Sequence, residues 1–421
     1  MKNKILLAVA FMLLLSGCGD LFGPDRNGWK SSQKKEFLQI LENDTYMSLC
    51  NQEALYTRIK SSNNSRLMSQ LLVSYAKNLA NSCIDLKSFN HYQKAKKAQK
   101  INTHYDTNQE KIYKYTILHK LRSGQTIKQI LQPYVPKSPQ FKALSKRYRA
   151  LKQPHAKVTK EHLHKIRLNI ERTKLMKHDL GINYALINIP EFNVRMIENN
   201  VTKLKFSVIV GKKNLQTPIF SERLKYIEIN PQWNIPDSIM RESYISKIIR
   251  NPNWIKSKGM ELHKDSYSLK SPKVNPRTVN WKKYMKENDK SYIPYKLVQV
   301  PSPKNGLGRV KFIFPNKHAV YMHDTQTKSL FKRSVRAYSH GCIRLGKPMR
   351  LLNYIATNYT NKSLGLVNTW YKSLKTKHLV LNKPLEVHTA YFTAYVNELG
   401  KLKLYNDIYG FDASQKLNFR L

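Results

Sequence analysis

The spacing of apolar positions along this chain changes character twice, and each change marks a different kind of structure. From about Ser32 to Lys174 apolar residues recur at helical spacing, glycines are few, and breaks fall at Pro133, Pro136 and Pro139. NQEALYTRIK and SRLMSQLLVSYAKNLANS read as two helices with a turn over Ser61 to Ser65, and LSKRYRALK reads as another. Near Gly181 the period drops to two. YALINIP, FNVRMIE and LKFSVIVG are short, β-branched and alternating, with Pro190 and Asn199-Asn200 as turn signals. A stretch from about Asn230 to Val300, rich in Pro, Trp, Tyr and Lys, interrupts this pattern with NPQWNIPDSI and a predicted helix over RESYISKIIR. Such an insertion is placed to cover a cleft. The expected architecture is α+β: a helical scaffold over 33–176, then a mostly β domain over 177–421 with a capping insertion at about 230–300.

The N-terminus follows neither pattern. Lys2 and Lys4 precede an unbroken apolar run from Ile5 to Leu15, and Ser16 and Gly17 follow at once, the layout of an export signal over residues 1–17. The run is short of the roughly 20 residues a membrane-spanning helix needs. Leu15, Ser16, Gly17 and Cys18 resemble the lipobox of bacterial lipoproteins. That resemblance implies lipidation of Cys18, a tether over residues 18–32, and a periplasmic, membrane-anchored protein, with the membrane left open. The plainer alternative is a secreted protein with an incidental cysteine.

Charge and cysteine usage narrow the class. The net charge is +47, from 74 basic and 27 acidic side chains. The basic residues are scattered and match no zinc-finger, RRM or basic-zipper spacing, so nucleic acid is not expected as a partner. Carboxylate-rich cell-wall peptide fits an exported basic protein, and a Lys- and Asn-rich proteome explains the charge equally well. Cys50 and Cys83 remain as a pair in the helical region, where an oxidising compartment favours a disulfide stapling the hairpin.

The chemistry concentrates in VYMHDTQTKSLFKRSVRAYSHGCIRLGKP, from Val320 to Pro348. An aromatic strand delivers His323, and a glycine-containing turn delivers Ser339, His340, Gly341, Cys342 and Arg344. A free thiol is mostly protonated at neutral pH, so a nearby imidazole is needed to activate it, and His323 is the expected base for the nucleophile Cys342. Gly341 lets the backbone turn and aim amides, Cys342's included, at an oxyanion. Arg344 suits a substrate carboxylate. His340 is either a second titratable partner or a donor shaping the same hole. Tyr321, Tyr338 and Ser339 complete the expected substrate side, Asp324 is expected to face elsewhere, and no metal or cofactor is expected.

These residues resemble the signature of the L,D-transpeptidase catalytic domain: a His, a spacer, then Ser or Thr, His, Gly, Cys, an apolar residue and Asn or Arg. The resemblance extends to IERTKLMKHDLGINYALINIP, VIVGKKNLQTP, INPQWNIPDSI, NGLGRVKFIFPN and TAYFTAYVNELGKLKLYNDIYGFD, from about Pro133 to Asp412, and points to the large, scaffold-bearing branch. It implies a cysteine acyltransferase on peptidoglycan stem peptides that releases D-alanine, forms 3-3 cross-links and is sensitive to carbapenems. The branch's small helical wall-binding module is not visible, and nothing before Pro133 matches it.

Competing readings are an L,D-carboxypeptidase, attachment of a protein to the wall, and a wall-binding lipoprotein with a relic domain. A relic would be expected to lose Cys342 or His323 first. Zinc binding by Cys342, His323 and His340 lacks the usual close ligand pairs. A structural cysteine would make Gly341, Arg344 and the spacing accidental. Oligomeric state is open, with a monomer as the default.

Overall fold

The computed structural model describes residues 27–98, 101, 103–153, 155–285 and 292–417. The expected export signal, Cys18 and most of the expected tether lie outside the described residues. No helix among the described residues is long and apolar enough to cross a membrane.

The chain divides into two compact units. Among the described residues, the first, helical unit is built from 27–95, 107–180 and 391–417. Its apolar spacing becomes a shared core of Phe37, Leu72, Tyr75, Ile117, Ile130, Leu144 and Ile166. The expected hairpin is present as helices Glu53–Ser62 and Ser65–Asn81. Asn63 takes a left-handed conformation between them, and the Asn64 side chain accepts the amides of Arg66 and Leu67, capping the second helix. Cys50 and Cys83 are joined as a disulfide across the ends of this hairpin, with Cα atoms 5.8 Å apart. With a sequence separation of 33, closing this loop is worth about 3 to 4 kcal/mol in the chain-entropy model. The two sulfurs lie close to Glu171 in a group with metal-ligand proximity, but as a disulfide they have no thiolate to offer.

The second unit comprises residues 96–106 and 181–390. Its strands are β1 Asn183–Asn188, β2 Asn193–Glu198, β3 Val201–Gly211, β4 Ser221–Ile229, β5 Trp233–Asn234, β6 Met260–Lys264, β7 Tyr295–Gln299, β8 Val310–Ile313, β9 Met322–His323, β10 Ala337–Ser339, β11 Ile343–Leu345 and β12 Lys377–Ala390. Nine of them form one sheet in the order β10-β3-β11-β9-β8-β4-β12-β1-β2, and β2 pairs back onto β3. Eight strands therefore close into a ring, which leaves them no open edge among themselves. The insertion has its own three-stranded sheet, β5-β7-β6, and its own core of Ile235, Met240, Ile248, Trp281 and Leu297. RESYISKIIR is only partly α-helical: Met240–Tyr244 forms a π-turn before the helix Ile245–Arg250.

Two segments depart from the expected order. The C-terminal stretch, expected within a catalytic domain ending at residue 421, packs with the helical unit. There the hairpin of β13 (Ala394–Val396) and β14 (Leu402–Leu404) is held by Gln140, whose side chain exchanges two hydrogen bonds with the Val396 backbone, at 2.8 and 3.0 Å. Phe411 stacks edge-on against Phe89 at 5.7 Å. Conversely, residues 103–106 leave the helical region and lie along the sheet unit. The backbones of His104 and Asp106 bracket Ile219, and Asp106 accepts from His318 at 2.9 Å.

Candidate active site

The site grows from the register of β11, which lies between β3 and β9. Ile343 pairs with Met322 and Arg344 with His323 on parallel strands. Because side chains alternate along a strand, Met322 and Ile343 point into the core, both essentially buried. Tyr321, His323, Cys342 and Arg344 share the other face.

The turn that presents Cys342 is braced from both sides. The Ser339 hydroxyl donates to the Cys342 carbonyl at 2.6 Å and accepts the Gly341 amide at 3.1 Å. The Thr217 hydroxyl donates to the Gly341 carbonyl and accepts the Gly211 amide, both at 2.8 Å. Gly341 has φ +113°, a conformation that side-chain-bearing residues rarely adopt. Two expectations change here. Ser339, expected on the substrate side, is buried with its hydroxyl spent inside the turn. The Gly341 amide is spent too, which leaves the Cys342 amide as the turn's donor for an oxyanion.

Burial dominates the electrostatics. Cys342 is the free cysteine among the described residues, and burial pushes its thiol up; a hydrogen bond from Tyr321 and the charges of Lys311 and Arg344 oppose this. His323 is pushed down to about 3 by burial and then by Arg344, while the nearby backbone of Asp324 and Leu307 works the other way. Both shifts favour the neutral thiol and the neutral imidazole over an ion pair. His323 Nδ1 is buried without a hydrogen-bond partner, and so is Arg344 Nε. Such atoms are costly unless a ligand or reaction uses them. Tyr321 meets the His323 ring edge-on at 5.6 Å, with Lys311 Nζ 4.4 Å from its own ring centre. Its hydroxyl is raised well above its usual range by burial and by Cys342.

Asp324 points off this face. Its carboxylate accepts the amides of Arg309 at 3.0 Å and Thr325 at 2.7 Å and pairs with Lys328. It sits where a Cβ on Gly308 would be, which is why that position has no side chain. His340 stands on the far side of the turn, partly exposed. Its Nε2 lies 3.4 Å from Glu242 of the π-turn, whose other oxygen is 2.8 Å from Lys212 Nζ. Burial, Lys212 and Arg344 lower His340, and Glu242 opposes them. Tyr244, from the same π-turn, faces Arg344 electrostatically, and Tyr338 is exposed.

Residues 182–368 match the family model of the L,D-transpeptidase catalytic domain. The chain is also 29% identical over 252 residues to a Haemophilus influenzae protein provisionally named an L,D-transpeptidase, covering 59% of this chain and 48% of that protein. It therefore spans about half the length of that curated relative. Solved structures that match include an L,D-transpeptidase from Mycobacterium smegmatis (12% identity, TM-score 0.22, 49% of this chain and 58% of that one). Another is the carbamoyl enzyme of Ldtfm with avibactam (10% identity, TM-score 0.22, 72% and 96%).

Within the matched segment, the structure brings the signature residues together, but their supports were missed. Thr217 and Lys212 fall inside VIVGKKNLQTP and Lys311 inside NGLGRVKFIFPN, segments singled out for resemblance without a role for those side chains. Glu242 lies just past INPQWNIPDSI, and no spacing rule ties it to His340, nearly a hundred positions on.

Proposed function

We propose that the protein is a peptidoglycan L,D-transpeptidase that forms 3-3 cross-links from the periplasmic side of a membrane, held there by lipid on Cys18. The observation that carries this reading is the shared face of Cys342, His323 and Arg344 around a braced glycine turn. The donor is a tetrapeptide stem with a free carboxylate for Arg344. As the Cys342 sulfur attacks the carbonyl between the third residue and the terminal D-alanine, its proton passes to His323 Nδ1. The neutral imidazole has a free ring nitrogen to receive that proton, although burial makes it a weaker base than an exposed histidine. The Cys342 amide faces the developing oxyanion. The leaving D-alanine amine takes the proton from His323, and a thioester remains. An amine of a second stem then completes the cross-link, whereas water would complete a carboxypeptidase reaction.

On purified disaccharide tetrapeptides the protein is expected to release D-alanine and form dimers, and Cys342→Ala to lose both. Survival of either in that variant would sink the assignment. Tripeptides without dimers from the intact protein would decide for trimming.

A further inference from the structure

Cations act on the Cys342 thiol from one direction, while past Gly341 stands a carboxylate already paired with Lys212. Arg344, with its buried unpartnered Nε, and Lys311 lie on one side. On the other, past Gly341, the insertion places a carboxylate. Glu242 comes from a π-turn, a geometry frequent at functional sites because it redirects a side chain out of the regular helical spacing. One of its oxygens meets His340 at 3.4 Å and the other meets Lys212 at 2.8 Å. Lys212 is itself anchored beside the motif, since its amide donates to the Ser339 carbonyl at 3.0 Å. All three side chains remain partly exposed, so the cluster is reachable from solvent.

A primary ammonium on a carboxylate, next to an imidazole and one turn from the nucleophile, is the chemistry an amine acceptor requires. We propose that Glu242 and His340 form the acceptor subsite, selecting a primary amine over water, and that Lys212 occupies it until an acceptor arrives. This rests on the transpeptidase reading above. The incoming side-chain ammonium of a diamino residue takes the place of Lys212 on Glu242, and Lys212 swings to solvent. The ammonium gives one proton to His340, and the resulting imidazolium is stabilised by the same carboxylate. The freed nitrogen lone pair attacks the thioester carbonyl carbon, a C–N bond forms and the C–S bond breaks. The sulfur leaves with that electron pair and takes the nitrogen's second proton, restoring the Cys342 thiol, while His340 releases its proton to solvent. The charged groups facing His340 are Glu242, Lys212 and Arg344; burial, Lys212 and Arg344 lower the imidazole, and Glu242 opposes them.

The test uses the full chain with a disaccharide tetrapeptide as donor and increasing concentrations of a tripeptide stem as acceptor, reading D-alanine release, dimer and hydrolysed tripeptide separately. Glu242→Gln is expected to lower the dimer-to-hydrolysis ratio about tenfold, the scale of one charge-assisted contact, and to raise the acceptor concentration giving half-maximal dimer. Glu242→Asp should recover part of both. Lys212→Met should lower that half-maximal concentration, because a competitor has been removed. A purely structural brace predicts otherwise: Glu242→Gln would reduce D-alanine release and dimer in equal proportion, and Lys212→Met would harm acceptor use as Glu242→Gln does. Either result overturns the proposal. A wild-type protein that releases no D-alanine overturns the transpeptidase reading itself, and the subsite with it.

Discussion

Two clusters of buried polar side chains, one in each compact unit, differ in how far their hydrogen-bonding capacity is used. In the helical unit, Arg167, Glu171 and Lys174 lie along the helix Lys160–Leu175, each almost fully buried. Glu171 pairs with Arg167, accepts from Lys174 at 2.9 Å and accepts the Cys83 amide at 2.6 Å. Arg167 also donates to the Met47 carbonyl at 2.7 Å. Burial alone would raise Glu171, but the two cations outweigh it and hold the carboxyl below its usual range. Lys174 is pushed down to about 8 by the same burial, with Glu171 opposing. In the sheet unit, His323 Nδ1 and Arg344 Nε are buried with no partner. A network whose charges answer one another fixes structure; one that leaves donors and acceptors open is poised for a substrate.

The largest expected contrast is in turnover. His323→Gln should reduce D-alanine release by roughly 10²- to 10⁴-fold, the range for a positioned general base, while leaving the thermal midpoint close to that of the parent. Retention of a tenth of the activity would mean that Nδ1 is not the base and that the comparison fails on its catalytic side. Glu171→Gln should do the reverse, leaving two buried cations without their counter-charge and lowering unfolding free energy by about 3 to 5 kcal/mol. Urea titration checks this, and an unchanged midpoint would show that the helical cluster is not a closed network.

The smallest effect concerns pH. An unfolded histidine titrates near 6.5, whereas folded His323 is held at about 3. The unfolded state therefore binds more protons between those values, so this contribution to stability is complete above about pH 6.5 and is lost as pH falls toward 3. Between pH 6.5 and 5.5 the loss amounts to about 1 kcal/mol. His323→Gln should remove that part of the slope, and an identical slope in the variant would place the acid sensitivity elsewhere.

Much of this was already legible in the chain, because local rules suffice where the partners are near in sequence. The switch from helical to alternating spacing near Gly181 located the start of the sheet, since periodicity reports which face is buried. The run from Ser339 to Arg344 determined its own turn and which side chains share a face, because strand alternation and a glycine with φ > 0 leave few other geometries. Cys50 and Cys83 flanked one hairpin, so their pairing followed from two helices and a turn.

Only the tertiary structure decided what answers these residues from a distance. Thr217 reaches Gly341 and Glu242 reaches His340 because β3, the following loop and the insertion's π-turn converge on β11. A hydroxyl and a carboxylate with no periodic signature carry no mark of that meeting. The same holds for residues 103–106 on the sheet and for the stretch from Tyr391 onward in the helical unit: a short segment can complete any core that offers complementary surface, and chain order does not say which. The protonation of His323 and Cys342 belongs here too, since burial is a property of the assembled fold and shifts both groups toward their neutral forms whatever their neighbours in sequence.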